Sequence, residues 1–228
     1  IIADPYPRYR LLREEDLVHW NQEINCWVLT RYTDVLAALG SQRLSSAQIS
    51  AFSERLPDAT AEKIQPLTRL FSDIMSDPPN HTRLSKLANK AFTPRVVERM
   101  RSSIQATTDV LLDSIEKDGG SHGRFEVIKD LANPLPAIVI SEMLGAANRD
   151  RERFSNLDRL DITREDNRHL SFGFGPHFCL GSALARVEGQ IVIGTIVQRW
   201  PGMQLAGDDF EWRYNPSFRS LISLPVAY

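Results

Sequence analysis

The sequence has little of several features that would identify a function class at once. Its 228 residues include two cysteines, Cys26 and Cys179, and no internal repeat. Two cysteines are too few for a disulfide framework, so we expect a reducing, cytoplasmic setting. No apolar run reaches the roughly 18 residues that would predict a membrane-spanning helix. The net charge of −2 provides no strongly basic surface, and we expect neither nucleic acid nor a membrane as the main partner.

The residues that are present predict a folded, mainly helical protein with a small β component. Apolar residues make up 42% of the chain, which is enough for a sizeable core. Helices are predicted over 5–15 and over RYTDVLAALG, which ends at Gly40. Between them, LVHW and CWVLTRY flank a polar NQEIN segment and predict a β-hairpin.

The middle of the chain alternates between weak and strong helical patterns. Residues 41–76 are polar and aperiodic, which predicts a long irregular loop, and PAIVISEMLG predicts a buried helix. PRVVERMRSSIQATTDVLLDSIEK predicts a helix with Thr93 as its N-cap and Pro94 in its first position. Its apolar positions have helical spacing and comprise Val97, Met100, Ile104, Leu111 and Ile115.

The stretch FGFGPHFCLG, residues 172–181, raises the question of what Cys179 does. The segment that follows, SALARVEGQIVIGTIVQRW, predicts a helix whose N-terminus faces the sulfur and stabilises a thiolate. Three glycines, Gly173, Gly175 and Gly181, are expected to supply backbone conformations or close approaches that a Cβ would forbid. Phe172 is expected to lie near the sulfur and exclude water.

Four roles are open for this cysteine: a buried core thiol, a catalytic nucleophile, a zinc ligand, or the protein ligand of a haem iron. A zinc site needs four ligands, and His169, His177 and Cys179 supply at most three at an unusual spacing. A cysteine hydrolase needs a base and an oxyanion hole, and nothing in the sequence marks either.

The loop resembles the cysteine loop of the cytochrome P450 family of haem-thiolate monooxygenases, whose pattern is F-G-x-G-x-[H/R]-x-C-x-G. Phe172, Gly173, Gly175, His177, Cys179 and Gly181 occupy its fixed positions. The resemblance implies a cytochrome P450-like fold, haem b as the cofactor, Cys179 as the iron ligand and His177 at a haem propionate. It also implies that the loop as a whole forms part of the haem-binding surface.

The resemblance extends to most of the chain. DPPNHTRLSKLANKAFTPRVVERM resembles the helix that carries a propionate-binding histidine in the bacterial branch, which implies that role for His81. Ser85 stands one helical turn later, where the family usually has an arginine. AANRDRERFSNLDRLDITREDNRHLSFG resembles the segment that leads into the cysteine loop, and His169 near its end is expected to approach the haem.

The resemblance also implies that an interior region is missing. Residues 1–145 resemble the N-terminal helices and hairpin, and residues 146–228 resemble the cysteine loop region and the C-terminal strands. We expect these two parts to form one structural domain. The family's helices F to K, which include its proton-delivery residues, have no counterpart, and the predicted join lies at Gly145–Ala146.

Two hypotheses follow. In the first, the chain is a monooxygenase that inserts one oxygen atom from O2 into a small apolar organic substrate, with electrons from a ferredoxin or flavoprotein. In the second, it is a truncated, catalytically incompetent relative that binds haem. The first hypothesis requires a surface for the electron donor. Three basic residues, Lys86, Lys90 and Arg95, either face such an acidic donor or are ordinary solvated charges.

Overall fold

The computed structural model describes residues 4–47, 72–73, 75–118, 123–132, 148–155, 163–208, 210–212 and 221–228. The predicted helix PAIVISEMLG, the join at Gly145–Ala146 and most of the predicted 41–76 loop lie outside these residues. Helix predominates in the described part and strands are short, which confirms the prediction of a mainly helical fold with a small β component. None of the described helices is both long enough and apolar enough to cross a membrane.

The N-terminal elements follow the sequence patterns closely. Helix α1 spans Tyr6–Glu15 and has prolines at its start. Proline suits these positions because the first N–H groups of a helix have no acceptor within the helix. Strands β1, Val18–Asn21, and β2, Cys26–Leu29, pair antiparallel and confirm the predicted hairpin. Trp20 and Trp27 lie opposite each other with ring centroids 5.0 Å apart.

Helix α2 spans Tyr32–Gly40 and ends at the predicted glycine. Its first turn is stabilised by the Arg31 guanidinium, whose Nε donates to Asp34 Oδ2 over 2.6 Å. A small apolar cluster joins Tyr32 and Val35 of α2 to Phe154 and Leu170. The helix therefore packs against the chain that leads directly into the cysteine loop.

Helices α3, Asn80–Ala91, and α4, Pro94–Asp118, lie on either side of Thr93. Thr93 acts as the predicted N-cap, since its hydroxyl and its carbonyl both accept the Val96 N–H, over 3.4 and 2.9 Å. The buried face of α4 comprises Val97, Ile104, Thr108, Leu112 and Ile115.

Met100, one of the apolar positions with helical spacing, lies outside the buried face of α4, because its side chain is 40% exposed. Met100 lies about 60° round the helix from Val97, at the margin of the face that contacts its neighbour. Thr108 takes part in the buried face instead, and its hydroxyl donates to the Ile104 carbonyl over 2.8 Å. A satisfied hydroxyl can therefore occupy a core position that apolar periodicity does not mark.

Helix α5 spans Ser182–Arg199 and runs parallel to α4. Val187 and Ile191 pack on the first part of α4, and Gln105 of α4 donates to the Thr195 hydroxyl further along. At the end of α5, Arg199 donates to Asp113 over 2.6 Å. These contacts advance in the same direction along both helices.

The middle of the chain and its C-terminal part share one sheet and one core cluster. Strand β5, Pro225–Ala227, lies between β3, Arg124–Glu126, and β4, Gln204–Leu205, and pairs antiparallel with both. A π-helical turn, Ile128–Ala132, follows β3. The cluster beneath this sheet contains Leu112, Ile115, Phe125, Leu131, Ile196, Trp200 and Val226. It draws on both parts into which the sequence was divided.

Candidate functional site

The cysteine loop is held by backbone hydrogen bonds between residues close in sequence. The Cys179 amide donates to the Phe172 carbonyl over 2.8 Å, which closes the loop just before the thiol. Within it, Gly175–His177 form a single 3₁₀ turn, and the Phe178 amide donates to the Gly175 carbonyl over 3.1 Å. The thiol is therefore attached to a backbone that is fixed at both sides.

Two of the three glycines have the predicted conformational role. Gly173 and Gly175 have φ values of 76° and 73°, which L side chains rarely adopt. A Cβ at Gly175 would also lie 2.7 Å from the Leu39 carbonyl oxygen, so this glycine lets the loop approach the end of α2. The loop and α2 are thus in backbone contact.

The predicted steric requirement is wrong at Gly181. This residue has a φ of −78°, and a Cβ built on it would lie 3.9 Å from Cys179 Sγ, an ordinary contact distance. A side chain there would nevertheless fill space beside the sulfur. Gly181 is the N-cap of α5, so the first turn of that helix begins next to the thiol, as predicted.

His81 and His177 face each other although they are far apart in the sequence. Their ring centroids are 4.0 Å apart and the ring planes are inclined by 41°. His81 is buried in the first turn of α3, and His177 is half-buried in the 3₁₀ turn of the cysteine loop. Burial lowers the pKa of His177, and the neighbouring His81 lowers it further, while Asp77 opposes both effects.

Asp77 is an element of the site that sequence reasoning missed. Its carboxylate accepts a hydrogen bond from the Ser45 hydroxyl over 2.5 Å and another from the Ser46 amide over 3.1 Å. These two bonds, that of Ser45 first, lower the pKa of Asp77. The carboxylate thereby joins the chain after α2 to the start of α3. The available signal was an aspartate just before a Pro-Pro-Asn-His helix start, which does not reveal a partner over 30 residues away.

His169 lies near the base of the loop and apart from the histidine pair. Its Nδ1 accepts the Ser171 N–H over 3.2 Å, and its ring is 5.9 Å from that of Phe172. The Arg186 guanidinium lies over the Phe172 ring, 4.8 Å from its centroid. Burial, and secondarily Arg186, lowers the pKa of His169. The described contacts join His169 to Phe172 and Ser171, and not to His81 or His177.

Asn148 was also missed, and it positions the start of the cysteine loop. Its side-chain oxygen accepts the Leu170 N–H over 2.6 Å, and its nitrogen donates to the Ser171 hydroxyl over 3.0 Å. Leu170 is only 2% exposed, so its amide has no access to water and depends on this partner. A lone asparagine in a polar segment carries no sequence signal for such a bond.

The donor set around Cys179 fits a haem iron better than a zinc ion. Among the described residues, no group of three or more His, Cys, Asp or Glu side chains converges as a metal site. A zinc site requires about four protein ligands, whereas a haem iron takes its equatorial ligands from the porphyrin and needs one axial thiolate from the protein. The paired rings of His81 and His177 carry N–H groups that can donate to carboxylates. Gly181 has no side chain to fill the space beside Cys179 Sγ.

The comparisons with known proteins agree on one family. The family model described as "Cytochrome P450" matches residues 149–203. The biotin biosynthesis cytochrome P450 of Bacillus subtilis is 59% identical over 88 residues, which are 38% of this chain and 22% of that protein. The polyketide biosynthesis cytochrome P450 PksS, also of Bacillus subtilis, is 24% identical over 398 residues, covering 98% of this chain and 96% of that protein.

Solved structures that superpose on this fold are also cytochromes P450. The crystal structure of P450BioI in complex with a hexadec-9Z-enoic acid-ligated acyl carrier protein superposes with a TM-score of 0.81 at 22% identity, covering 99% of this chain and 98% of that chain. In the match with the biotin biosynthesis cytochrome P450 of Bacillus subtilis, the chain spans about a fifth of that protein's length. The PksS alignment is longer than this chain, so part of that protein has no counterpart here.

Proposed function

Because the chain belongs to the cytochrome P450 family, we propose that Cys179 is the axial thiolate ligand of a haem b iron and that the chain belongs to a haem-thiolate monooxygenase. The observation that carries the proposal is the loop geometry: a half-buried thiol on a backbone closed by the Phe172–Cys179 hydrogen bond, beside the first turn of α5. When bound, thiolate-ligated haem supplies O2 activation and O–O bond cleavage.

The residues of this chain would hold the group at two places. Cys179 presents Sγ to the iron, and Gly181 leaves the neighbouring volume open. His81 and His177 carry N–H donors suited to propionate carboxylates, and burial lowers the pKa of His177, which favours its neutral form. A neutral imidazole donates one hydrogen bond, and an added carboxylate would favour its protonation. His169, Phe172, Gly173 and Gly175 complete the proposed haem-binding set.

The proposed reaction is insertion of one oxygen atom from O2 into a small apolar organic substrate, in the cytoplasm. A ferredoxin or flavoprotein would supply the electrons. Lys86, Lys90 and Arg95 lie on exposed positions of α3 and α4, where they could face the carboxylates of such a donor.

A second candidate is a haem-binding relative that does not turn over substrate. It is favoured by the part of PksS that has no counterpart here, together with Ser85, whose hydroxyl accepts a hydrogen bond from Asn89 rather than contributing a cation. Both candidates share the Cys179 ligand and differ only in oxygen chemistry.

The ligand assignment is tested by the absorption spectrum of the haem-loaded chain, reduced and exposed to carbon monoxide. We expect a strongly red-shifted Soret band that is lost in Cys179→Ala. Cys26→Ala is the matched control, since Cys26 is also a half-buried free cysteine but lies in β2. A band unchanged in Cys179→Ala, or absent from the parent chain, contradicts the assignment.

The two candidates are then separated by turnover. The haem-loaded chain is supplied with a surrogate ferredoxin system and a panel of small apolar substrates, and product is measured together with NADPH and peroxide. Product that depends on Cys179 supports the monooxygenase. Electron uptake without product, or with peroxide alone, supports the haem-binding relative.

A further inference from the structure

Arg186 is the first charged residue of α5, and it contacts the cysteine loop. Its guanidinium carbon lies 4.8 Å from the centroid of the Phe172 ring, a cation–π contact. Side chains on a helix point toward its N-terminus, so Arg186 extends back toward the end of α5 at which Cys179 lies. The contact therefore joins the second turn of α5 to the first residue of the loop.

Phe172 connects this contact to Cys179 through the backbone. Its carbonyl oxygen accepts the Cys179 amide over 2.8 Å, the hydrogen bond that closes the loop. The Phe172 ring also lies 5.9 Å from the ring of His169, just before the loop. Contacts with two neighbouring groups restrict the rotamers of Phe172, and an ordered side chain leaves its own backbone less free to open. The position of the ring is therefore coupled to loop closure at Cys179.

The charge of Arg186 is opposite to the one that helix electrostatics favour near this end of α5. The N-terminus of a helix carries a partial positive charge, so acidic side chains stabilise it and cations do not. The first turn of α5 contains no acidic residue, and the first charge along the helix is that of Arg186. This distribution leaves the start of α5 positive, which suits an anionic group such as the thiolate of Cys179.

The field of Arg186 reaches the base of the loop. After the larger effect of burial, its charge lowers the pKa of His169. Across the described ranges, no hydrogen bond or ion pair joins this guanidinium to a carboxylate. The exposed cation therefore contributes positive potential to the segment that carries His169 and Phe172.

We propose that Arg186 is a positioning residue of the cysteine loop: its guanidinium holds the Phe172 ring, which keeps the loop closed at Cys179, and its charge favours the thiolate. The charge effect rests on the proposed function, whereas stacking and loop closure can be measured without haem. An arginine that is only solvated, or that serves only to contact an electron donor, would leave the isolated chain unchanged when it is replaced.

Amide hydrogen exchange in the haem-free full chain tests the stacking. Arg186→Gln should accelerate exchange at Cys179 about two- to fivefold, the effect of losing one exposed cation–π contact. Arg186→Lys keeps the charge but not the planar guanidinium, so it should restore part of the protection. The Trp200 amide, which donates to the Ile196 carbonyl at the other end of α5, should exchange as in the parent.

Two further variants locate the effect. Phe172→Leu removes the ring on which the guanidinium lies, so adding Arg186→Gln to it should cause no further acceleration at Cys179. Arg99→Gln is the matched control, because Arg99 is an exposed arginine on α4 outside the loop. It should leave exchange at Cys179 unchanged.

The charge effect is tested by a redox titration of the haem-loaded chain. Reduction adds an electron to the site, and a nearby cation favours that step. Arg186→Gln should therefore shift the reduction equilibrium on the order of threefold toward the oxidised state, whereas Arg186→Lys should not. A parent chain whose reduced, carbon monoxide-bound spectrum lacks the thiolate band would contradict the ligand assignment alone, because exchange at Cys179 is measured without haem.

Several results would overturn the proposal. They are unchanged exchange at Cys179 in Arg186→Gln, equal acceleration in Arg99→Gln, or further acceleration by Arg186→Gln when the Phe172 ring is already absent. Equal acceleration at Trp200 would show a general loss of stability and would also overturn the positioning role. An unchanged reduction equilibrium in Arg186→Gln would overturn the charge effect.

Discussion

The cysteine loop and the histidine pair lie side by side, yet they are assembled by different interactions. The loop is closed by hydrogen bonds between residues within 172–182, and its shape depends on two glycines with positive φ. The pair joins α3 to that loop through two rings 4.0 Å apart, from segments that are distant in the chain. Local backbone geometry therefore determines where the thiol lies, whereas tertiary packing determines where the propionate-binding groups lie.

Gly175→Ala should have the largest effect on this arrangement. The substitution forces an L side chain to φ 73° and brings a Cβ to 2.7 Å from the Leu39 carbonyl oxygen. Left-handed strain and overpacking together should lower the free energy of unfolding by about 3 kcal/mol. The measurement is urea unfolding of the parent and the variant.

Gly202→Ala is the control for this comparison, since nothing lies within 4 Å of a Cβ built there and its φ is not in the left-handed range. It should leave the free energy of unfolding nearly unchanged. Equal destabilisation by both substitutions would contradict the view that contact with α2 shapes the loop.

Asn148→Ala tests whether the loop also depends on a side chain outside it. The substitution removes the acceptor of the Leu170 N–H and the donor to the Ser171 hydroxyl. A buried amide left without a partner costs about 2 kcal/mol, and we expect that loss of stability in urea unfolding. Amide hydrogen exchange should also become faster at Leu170.

Asn167→Ala provides the matched control, because Asn167 is an exposed asparagine in the same stretch of chain. Its unfolding free energy and the exchange rate at Leu170 should equal those of the parent. A protected Leu170 amide in Asn148→Ala would show that another group accepts this hydrogen bond.

The histidine pair should make the stability of the fold depend on pH. Burial, followed by the proximity of His81, lowers the pKa of His177 below its usual value of 6.5, so the unfolded chain binds the proton more readily. Stability from this group is complete above pH 6.5 and decreases as pH falls below that value. His169, whose pKa is also lowered by burial, contributes in the same direction.

Urea unfolding of the haem-free chain between pH 5 and 8 measures this effect. His177→Gln should flatten the curve, because it removes the group whose pKa burial lowers. A pH profile that His177→Gln leaves unchanged would contradict the proposed repulsion and desolvation at the pair.

The difference between loop and pair also explains which features the sequence predicted. Helical spacing identified most of the buried face of α4, and the glycine pattern located the turns at 173 and 175, because both depend on nearby residues. The Asp77 link to Ser45 and the Asn148 link to Leu170 could not be predicted, because each depends on how remote segments approach.

Ser85→Arg should have the smallest effect, and it tests the histidine side directly. Position 85 lies one turn beyond His81 on α3 and is half-buried, with its hydroxyl accepting the Asn89 amide. Residues four apart lie on the same helix face, so an arginine there would place a cation beside His81. It would provide charge-assisted, bidentate donors to a carboxylate, which a single imidazole N–H does not provide.

If the pair receives haem propionates, Ser85→Arg should tighten haem binding by about five- to tenfold, the gain expected for one partly exposed charged hydrogen bond. The measurement is haem transfer to an acceptor protein, which needs no turnover. Ser102→Arg on the exposed face of α4 adds the same charge away from His81 and should have no effect. Equal gains from both variants would indicate a general electrostatic attraction to haem, and no gain from Ser85→Arg would place the propionates elsewhere than beside His81.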